Sequence, residues 1–446
     1  MNSEIFEKLS PTKLLFRCAI PAMITMAFSS LYQIADGLFV GRFIGGDALA
    51  AVNLIMPVIM MVFALSDMVA AGAAVRSSTL LGEKKREEAS QVFSSAIKAI
   101  FLVSFILGTA GFFFAEQILR FLAAEASEQA IDYGITYVRI YSVFAPVISI
   151  SFATDNFLRV CGKEKRSMWI SIGSQSLNII LDVILIAFLG QGVWAAAFTS
   201  CAAMTLSAVT ALWMFRKKQM DLYYVKKSIS LFSFFRILAN GFSEFFSSIS
   251  MSIMSIIYNF FLLKYGGTTA VAAFSVIMYV DSFVGMMSFG LCGSMQSALS
   301  YCYGAGLLAK VNAIFKRVVF GTMLLSGLSL LFLMFAGPYV APVFIKPGDT
   351  ELLAVSIAGM KLFALSYITG WVDTCFSSYF TALERPVRSL LTSFFGTLVF
   401  PVMFLCILTP VWNLKGVWLT AVAACSASAV LTMLFAATMK SKNYEK

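Results

Sequence analysis

Residues 41–58 read GRFIGGDALAAVNLIMPV, and residues 263–280 read LKYGGTTAVAAFSVIMYV. At a shift of 222 residues Arg42-Phe43 returns as Lys264-Tyr265, Gly45 as Gly267, Ala50-Ala51 as Ala272-Ala273, and Ile55-Met56 as Ile277-Met278. Further along, Gly82 returns as Gly304, Phe93 as Phe315, basic Arg139 as Lys361, and Arg166-Ser167 as Arg388-Ser389. Near the end the shift drifts to 224, where Gly192-Val193-Trp194 returns as Gly416-Val417-Trp418. One such match is noise, but an ordered series along half a chain marks an internal repeat.

The repeat is written in apolar residues. Of 446 residues, 59% are hydrophobic and 13% charged, against about 25% charged in a soluble domain. That excludes a soluble globular chain and a disordered one. A helix needs about 20 mostly apolar residues to cross a bilayer. Twelve stretches qualify, near 14–40, 49–75, 92–115, 131–158, 168–189 and 193–215, then 232–263, 269–297, 311–335, 353–383, 389–409 and 416–439. Pro21, Pro57, Pro146 and Pro401 sit inside spans, where proline removes a backbone donor and bends the helix. The first run lacks a small-residue cleavage site after it and reads as a retained span. The expected fold is therefore an all-α membrane protein of twelve transmembrane helices. Six spans per half is an even number, so both halves enter the membrane in the same direction, as a parallel repeat about an axis along the membrane normal. The expected division is a six-helix lobe over 1–215, a linker over 216–231 and a second six-helix lobe over 232–446. The linker, RKKQMDLYYVKKSISL, reads either as an amphipathic or flexible surface segment or as simple positive-inside anchoring.

The formal charge is +10, from 33 Lys and Arg against 23 Asp and Glu. Basic residues gather in cytoplasmic loops. With the N-terminus in the cytoplasm, only Arg42, Arg120, Arg139, Lys264, Lys346, Lys361 and Lys415 fall on the outer side. Both termini are then cytoplasmic, in a multi-pass protein of the cytoplasmic (inner) membrane. The basic excess is an orientation signal, and no nucleic-acid partner is implied. Histidine is absent, which removes Ser-His-Asp and Cys-His catalysis, most catalytic zinc sites and His-held haem. The 8 cysteines are scattered without a C-x-x-C pair, as packing residues with free thiols are. No enzyme, cofactor or structural metal is expected.

The spans also carry Asp36, Asp67, Asp155, Asp182, Glu244, Asp281 and Asp373. A charge at the bilayer centre costs at least about 2.5–3.5 kcal/mol, so each needs a reason. Asp155 and Asp281, near helix ends or beside polar residues, read as structural, and Asp67 reads either way. Asp36, Asp182, Glu244 and Asp373 are the functional candidates. None is duplicated by the repeat. Asp36 stands opposite Tyr258, Asn178 and Asp182 opposite Phe400 and Phe404, Glu244 opposite Ala22, and Asp373 opposite Ser151. That asymmetry implies different jobs for the halves. Asn178 and Asp182 lie one turn apart on one helix face. A carboxylate with an amide neighbour can take a proton or coordinate Na⁺. It can also be a satisfied interhelical hydrogen bond worth about 0.6–2 kcal/mol.

At this point the chain resembles the multidrug and toxic compound extrusion (MATE) transporters. The likeness lies in Ile20-Pro21, Ala35-Asp36-Gly37-Leu38-Phe39-Val40-Gly41-Arg42, Asn178-x-x-x-Asp182 on the fifth span, and Gly192-Val193-Trp194-Ala195-Ala196-Ala197-Phe198-Thr199 on the sixth. It covers essentially the whole chain. The resemblance implies export of drugs, often amphipathic cations, in antiport with H⁺ or Na⁺. It implies a first-lobe coupling site at Asp36, Asn178, Asp182 and Thr199, with Na⁺ able to bind at the first three. It also implies a helix bend at Pro21 and an acidic second-lobe cavity at Glu244 and Asp373. The chain departs from the family at Asn240-Gly241-Phe242-Ser243, where a proline is frequent, and at Glu384, where glycine is frequent. Met254, Tyr258, Tyr279 and Met286 are candidates for an adaptable apolar wall with cation–π contacts.

The expected activity is secondary active export of small drug-like molecules by alternating access between the lobes, in a functional monomer embedded in the bilayer. A flippase for lipid-linked precursors shares the architecture but needs cationic residues in the cleft. A passive channel fits the span count but lacks a filter-like loop or charge ring.

Overall fold

The computed structural model describes residues 2–122, 127–216, 220–345 and 349–443. Lys217, Lys218, Lys346 and Lys446 lie outside them, as does the side chain of Pro57. The described residues form helices and no strands. The spans are α1 (Pro11–Phe39, extended by a π-helical turn Val40–Ile44), α2 (Gly46–Gly82), α3 (Arg86–Leu122), α4 (Glu128–Val160), α5 (Glu164–Asp182, extended by a π-helical segment Val183–Phe188) and α6 (Val193–Arg216).

The next helical run, Leu231–Gly304, has 74 residues. At 1.5 Å per residue it would be nearly four times as long as a bilayer core is thick. It breaks at Gly267, whose φ of 65° and ψ of −163° are non-helical, into α7 (231–266) and α8 (268–304). Gly45, its partner in the repeat, makes the matching turn before α2 with φ 132°. Then follow α9 (Leu308–Phe344), α10 in two pieces (Thr350–Ala364 and Tyr367–Ala382) bent by 55°, α11 (Pro386–Phe394, the π-helical turn Phe395–Val399, and Phe400–Trp412) and α12 (Leu414–Asn443). Among the described residues, up to 11 apolar helical runs are long enough to cross a membrane when the bent pair counts as one. Dividing the longest at Gly267 gives twelve.

The repeat extends to element ends. α3 and α9 run Arg86–Leu122 and Leu308–Phe344, and α4 and α10 run from Glu128 to Val160 and from Thr350 to Ala382, each offset by the same 222 positions. Helix starts repeat too. Ser127 caps α4 by accepting from the Ala130 N–H at 3.2 Å, and Asp349 caps α10 from the Leu352 N–H at 3.1 Å. Such caps satisfy otherwise orphaned donors.

Apolar packing shows how the halves meet. One buried cluster draws on both, including Phe6, Phe93, Phe157, Phe215, Leu299, Tyr301 and Ile314. A second, with Ile55, Tyr137, Ile148 and Ile186, belongs to the first six spans, and a third, with Leu262, Ile277, Met360 and Trp418, to the last six. The halves therefore share a core at the end holding the N-terminal segment, called here the terminal end, and have separate cores at the other. The shared end is sealed by backbone. A Cβ on Gly241 would lie 1.8 Å from the Met68 carbonyl oxygen, one on Gly72 2.1 Å from that of Ile237, and one on Gly304 2.1 Å from that of Thr79.

Residues 220–229 neither coil into an amphipathic helix nor hang free. Met220 and Leu222 are buried in the shared core. Arg86 donates to the carbonyls of Met220 (2.7 Å) and Asp221 (2.9 Å). The N–H groups of Tyr223, Val225 and Ile229 donate to the hydroxyls of Ser90, Ser94 and Ser95 on α3 at 3.3, 2.8 and 3.1 Å. The segment is an extended strap whose backbone donors are met by a row of serines.

Asp155 pairs with Arg159 at 2.6 Å and accepts from the Ser167 hydroxyl. Arg159 is buried, and removing one partner of a buried pair costs about 3–5 kcal/mol. Arg159→Ala should therefore lower the melting temperature in detergent clearly. An unchanged melting curve would mean that the pair is not structural.

Candidate functional site

Near the far end of α1, Asp36 precedes the π-helical turn at Val40–Ile44. On α5, Asp182 is followed at once by the π-helical segment Val183–Phe188. The two π segments pack against each other. Widened turns of this kind recur at functional sites, and here they lie beside carboxyl groups from two spans. Asp36 and Asp182 are neighbours. Asp182, Asn178, Thr199 and Ser200 are all at most 1% exposed.

The hydrogen bonds are ordered. The Thr199 hydroxyl donates to Asp182 Oδ1 at 2.5 Å. The Asn178 amide, oriented by its network, donates from its nitrogen to Asp182 Oδ2 at 2.9 Å. Its oxygen accepts from the Ser200 N–H at 2.9 Å and the Ser200 hydroxyl at 3.1 Å. Asp182 thus has a donor on each oxygen, while Asp36 Oδ1 is buried without a partner among the described residues. Two facing carboxyls in a dry site repel when both are charged. They are reconciled by a shared proton or an intervening cation. Three tyrosines complete the surroundings. Tyr32 shares a hydrogen bond with Ser200 at 3.4 Å, and Tyr137 and Tyr141 stack with ring centroids 4.9 Å apart.

The structure thus brings Asp36, Asn178, Asp182 and Thr199 into one cluster. Sequence reasoning missed Ser200, Tyr32, Tyr137 and Tyr141. Tyrosines one turn apart in an apolar span were a readable signal, whereas Ser200 was hidden beside Thr199. Pro21 lies inside α1, its carbonyl accepting from the Thr25 hydroxyl at 2.9 Å. Next to it Ala22 packs against Gly290 of α8, so α1 touches the second half at its proline.

The two acids expected at a second cavity each have their own neighbours. Asp373, on the second piece of α10, accepts from the Thr432 hydroxyl of α12 at 3.1 Å. Its other oxygen lies against Gly396 in the π-helical turn of α11, where a Cβ would come within 2.7 Å. Glu244, on α7, has Asp67 of α2 as a neighbour, and Asn156 of α4 lies beside Asp67. Glu244 therefore faces the first half, and Asp373 faces α11 and α12. Asp281 accepts from the Tyr367 hydroxyl at 2.8 Å, beside the bend in α10. Of the apolar wall, Met254 is buried in the third cluster. Tyr258 packs beside it and stacks on Phe274 at 5.2 Å. Tyr279 is exposed and stacks on Phe344, and Met286 is half-buried. No group of three or more His, Cys, Asp or Glu able to hold a metal occurs among the described residues.

Known proteins share both halves of this arrangement. The MatE family model matches residues 21–184 and again residues 244–407, once per half. The multidrug export protein MepA of Staphylococcus saprophyticus is 25% identical, over 96% of this chain and 94% of its own. A probable multidrug resistance protein, YoeA of Bacillus subtilis, is 24% identical, over 92% and 90%. Among solved structures, a MATE protein in complex with MaL6 superposes with a TM-score of 0.94 at 24% identity, over 100% of this chain and 99% of that one. An outward-facing MATE family transporter of the MOP superfamily superposes with a TM-score of 0.90, also at 24% identity, over 99% and 98%. A family model that recurs in each half of a twelve-helix bundle leaves one conclusion: this chain belongs to the MATE family of membrane transporters, which are not enzymes.

Proposed function

We propose that this protein is a secondary active multidrug exporter that moves amphipathic, often cationic, small molecules against an inward flow of H⁺. The observation that carries the reading is the pair of buried Asp182 and half-buried Asp36 with its Asn178 and Thr199 donors. It exists in the first half alone, since the second carries Tyr258, Phe400 and Phe404 at the matching positions. A proton fits this site better than Na⁺. The Asn178 oxygen is engaged by Ser200, so the amide adds no free oxygen to the cage a hard cation requires. Relatives named as multidrug export proteins support the substrate class. Glu244, Asp373, Met254 and Tyr258 would give the cleft its negative potential and its apolar wall.

The lobes would be residues 1–215 and 232–446, joined by the segment 216–231, with both termini in the cytoplasm because the basic loops lie at that end. The shared core at the terminal end then makes this an outward-open state. Proton binding would release substrate by favouring one lobe arrangement over the other.

The test is dye flux in proteoliposomes containing the purified protein, with ΔpH and a Na⁺ gradient imposed separately. We expect uphill movement of a cationic dye with ΔpH and none with Na⁺ alone. Drive by Na⁺ alone would replace the proton with sodium, and downhill leakage indifferent to both gradients would make the protein a channel.

A further inference from the structure

Four short loops close the terminal end, and each turns through one left-handed residue. In the first half these are Lys84 (φ 63°) and Gly162 (φ 66°). In the second they are Gly306 (φ 72°) and Glu384 (φ 53°). The repeat pairs position 84 with 306 and 162 with 384. Each pair therefore holds one glycine and one charged residue. Glycine takes this conformation freely, whereas a side chain there is strained by its Cβ. The glycine twins demonstrate that the loop itself asks for no side chain. Lys84 and Glu384 therefore need another reason.

Both side chains cross the seam, in opposite directions. Lys84, from the first half, reaches the Tyr301 hydroxyl of α8 at 3.4 Å and lies 5.9 Å from the centre of that ring. It also pairs with Glu7 of the N-terminal segment at 2.9 Å. That segment is itself tied to the second half, where Lys310 donates to the Glu7 carbonyl and Phe6 packs on Tyr301. Glu384, from the second half, pairs with Arg76 of α2 at 3.2 Å. Along α2, the glycine contacts with α8 lie between Arg76 and Lys84, and those with α7 lie just before Arg76.

The geometry points to Lys84 and Glu384 as positioning residues of the transport cycle, paired latches that hold the lobes together at the terminal end and must break each time that end opens. The inference rests on the two-state reading of transport above, but on neither the ion nor the drug, and its test uses neither.

Nitroxides would be placed at the repeat-related exposed positions Glu87→Cys and Ala309→Cys, in the full chain with Cys406→Ser and Cys425→Ser, and their separation measured by pulsed electron spin resonance in nanodiscs. Glu384→Gln and Lys84→Met should each raise the ratio of parted to closed lobes about two- to fivefold, the range of a half-exposed ion pair. The exchange Arg76→Glu with Glu384→Arg should restore the starting ratio. Both pairs are partly exposed, so 1 M salt should part the lobes of the unaltered chain in the same sense. A purely structural role predicts lower melting temperatures with unshifted distances, and that result would overturn the proposal. So would an exchange that stays parted, or distances in the unaltered chain that ignore salt. If dye flux fails in the earlier assay while these distances shift as expected, the exporter reading falls and the latches stand.

Discussion

Gly241→Val will cut transport by at least about tenfold and will pry the terminal end open. A Cβ at this position lies 1.8 Å from the Met68 carbonyl oxygen and 3.2 Å from the Gly72 nitrogen. These are backbone atoms, so no rotamer change relieves the clash. α7 must move away from α2, and these helices belong to opposite halves. Overpacking of this kind costs about 1–3 kcal/mol even where side chains can yield, and 1.4 kcal/mol already shifts a two-state ratio tenfold. Gly304→Val, whose Cβ would meet the Thr79 carbonyl oxygen at 2.1 Å, should act in the same way from the other side of the seam. Gly173→Ala and Gly285→Ala are the controls, since an added Cβ meets nothing within 4 Å at either site. Dye flux and the Glu87–Ala309 label separation would be read together. If Gly241→Val transports at the unaltered rate with an unshifted separation, the seam does not open during transport.

The position of Gly241 bears on what the sequence could reveal. The stretch Asn240-Gly241 was visible as a departure from the family's frequent proline, with no reason attached. The structure supplies one, because Asn240 donates to the Thr381 carbonyl at 3.2 Å while Gly241 admits the α2 backbone. The reason was illegible because the partner helix lies in the other half, far away in sequence. The order of the strap over 220–229 was hidden for the same cause. Its own residues look like a charged surface segment, and the serines that order it, Ser90, Ser94 and Ser95, sit on α3.

Features written in one element were legible. The twelve spans, the turn at Gly45 and its twin at Gly267, and the Asn178–Asp182 pair all follow from local pattern and from the repeat. The π-helical segments beside Asp36 and Asp182 leave no such pattern, since one extra residue per turn changes no composition. They sit beside the place where two carboxyls from separate spans become neighbours. The neighbours of Glu244 and Asp373, Asp67 for one and Thr432 for the other, lie on other helices and leave no local pattern either.

Asp36→Asn should abolish coupling, so that an imposed ΔpH changes dye flux by a factor of roughly one, since a site that binds a ligand equally in both states shifts nothing. The substitution preserves volume, and its amide can donate to Asp182 as a protonated Asp36 would. The chain should therefore fold and melt normally while remaining fixed in the proton-loaded arrangement. Asp182→Asn should abolish coupling too, with some loss of stability. Thr199 and Asn178 both donate to this carboxylate, and an amide there turns one of those donors against another N–H. Asp281→Asn is the informative control. It removes an equally deep acid that is held by the Tyr367 hydroxyl at 2.8 Å and takes no part in the Asp36 network, so it should keep the ΔpH response. The measurement is ΔpH-driven dye flux in proteoliposomes, with melting temperature recorded for every variant. An Asp36→Asn protein that exports at the unaltered rate would sink the first-half coupling site. Equal loss in Asp281→Asn would mean that buried charge in general, and not this pair, sustains transport.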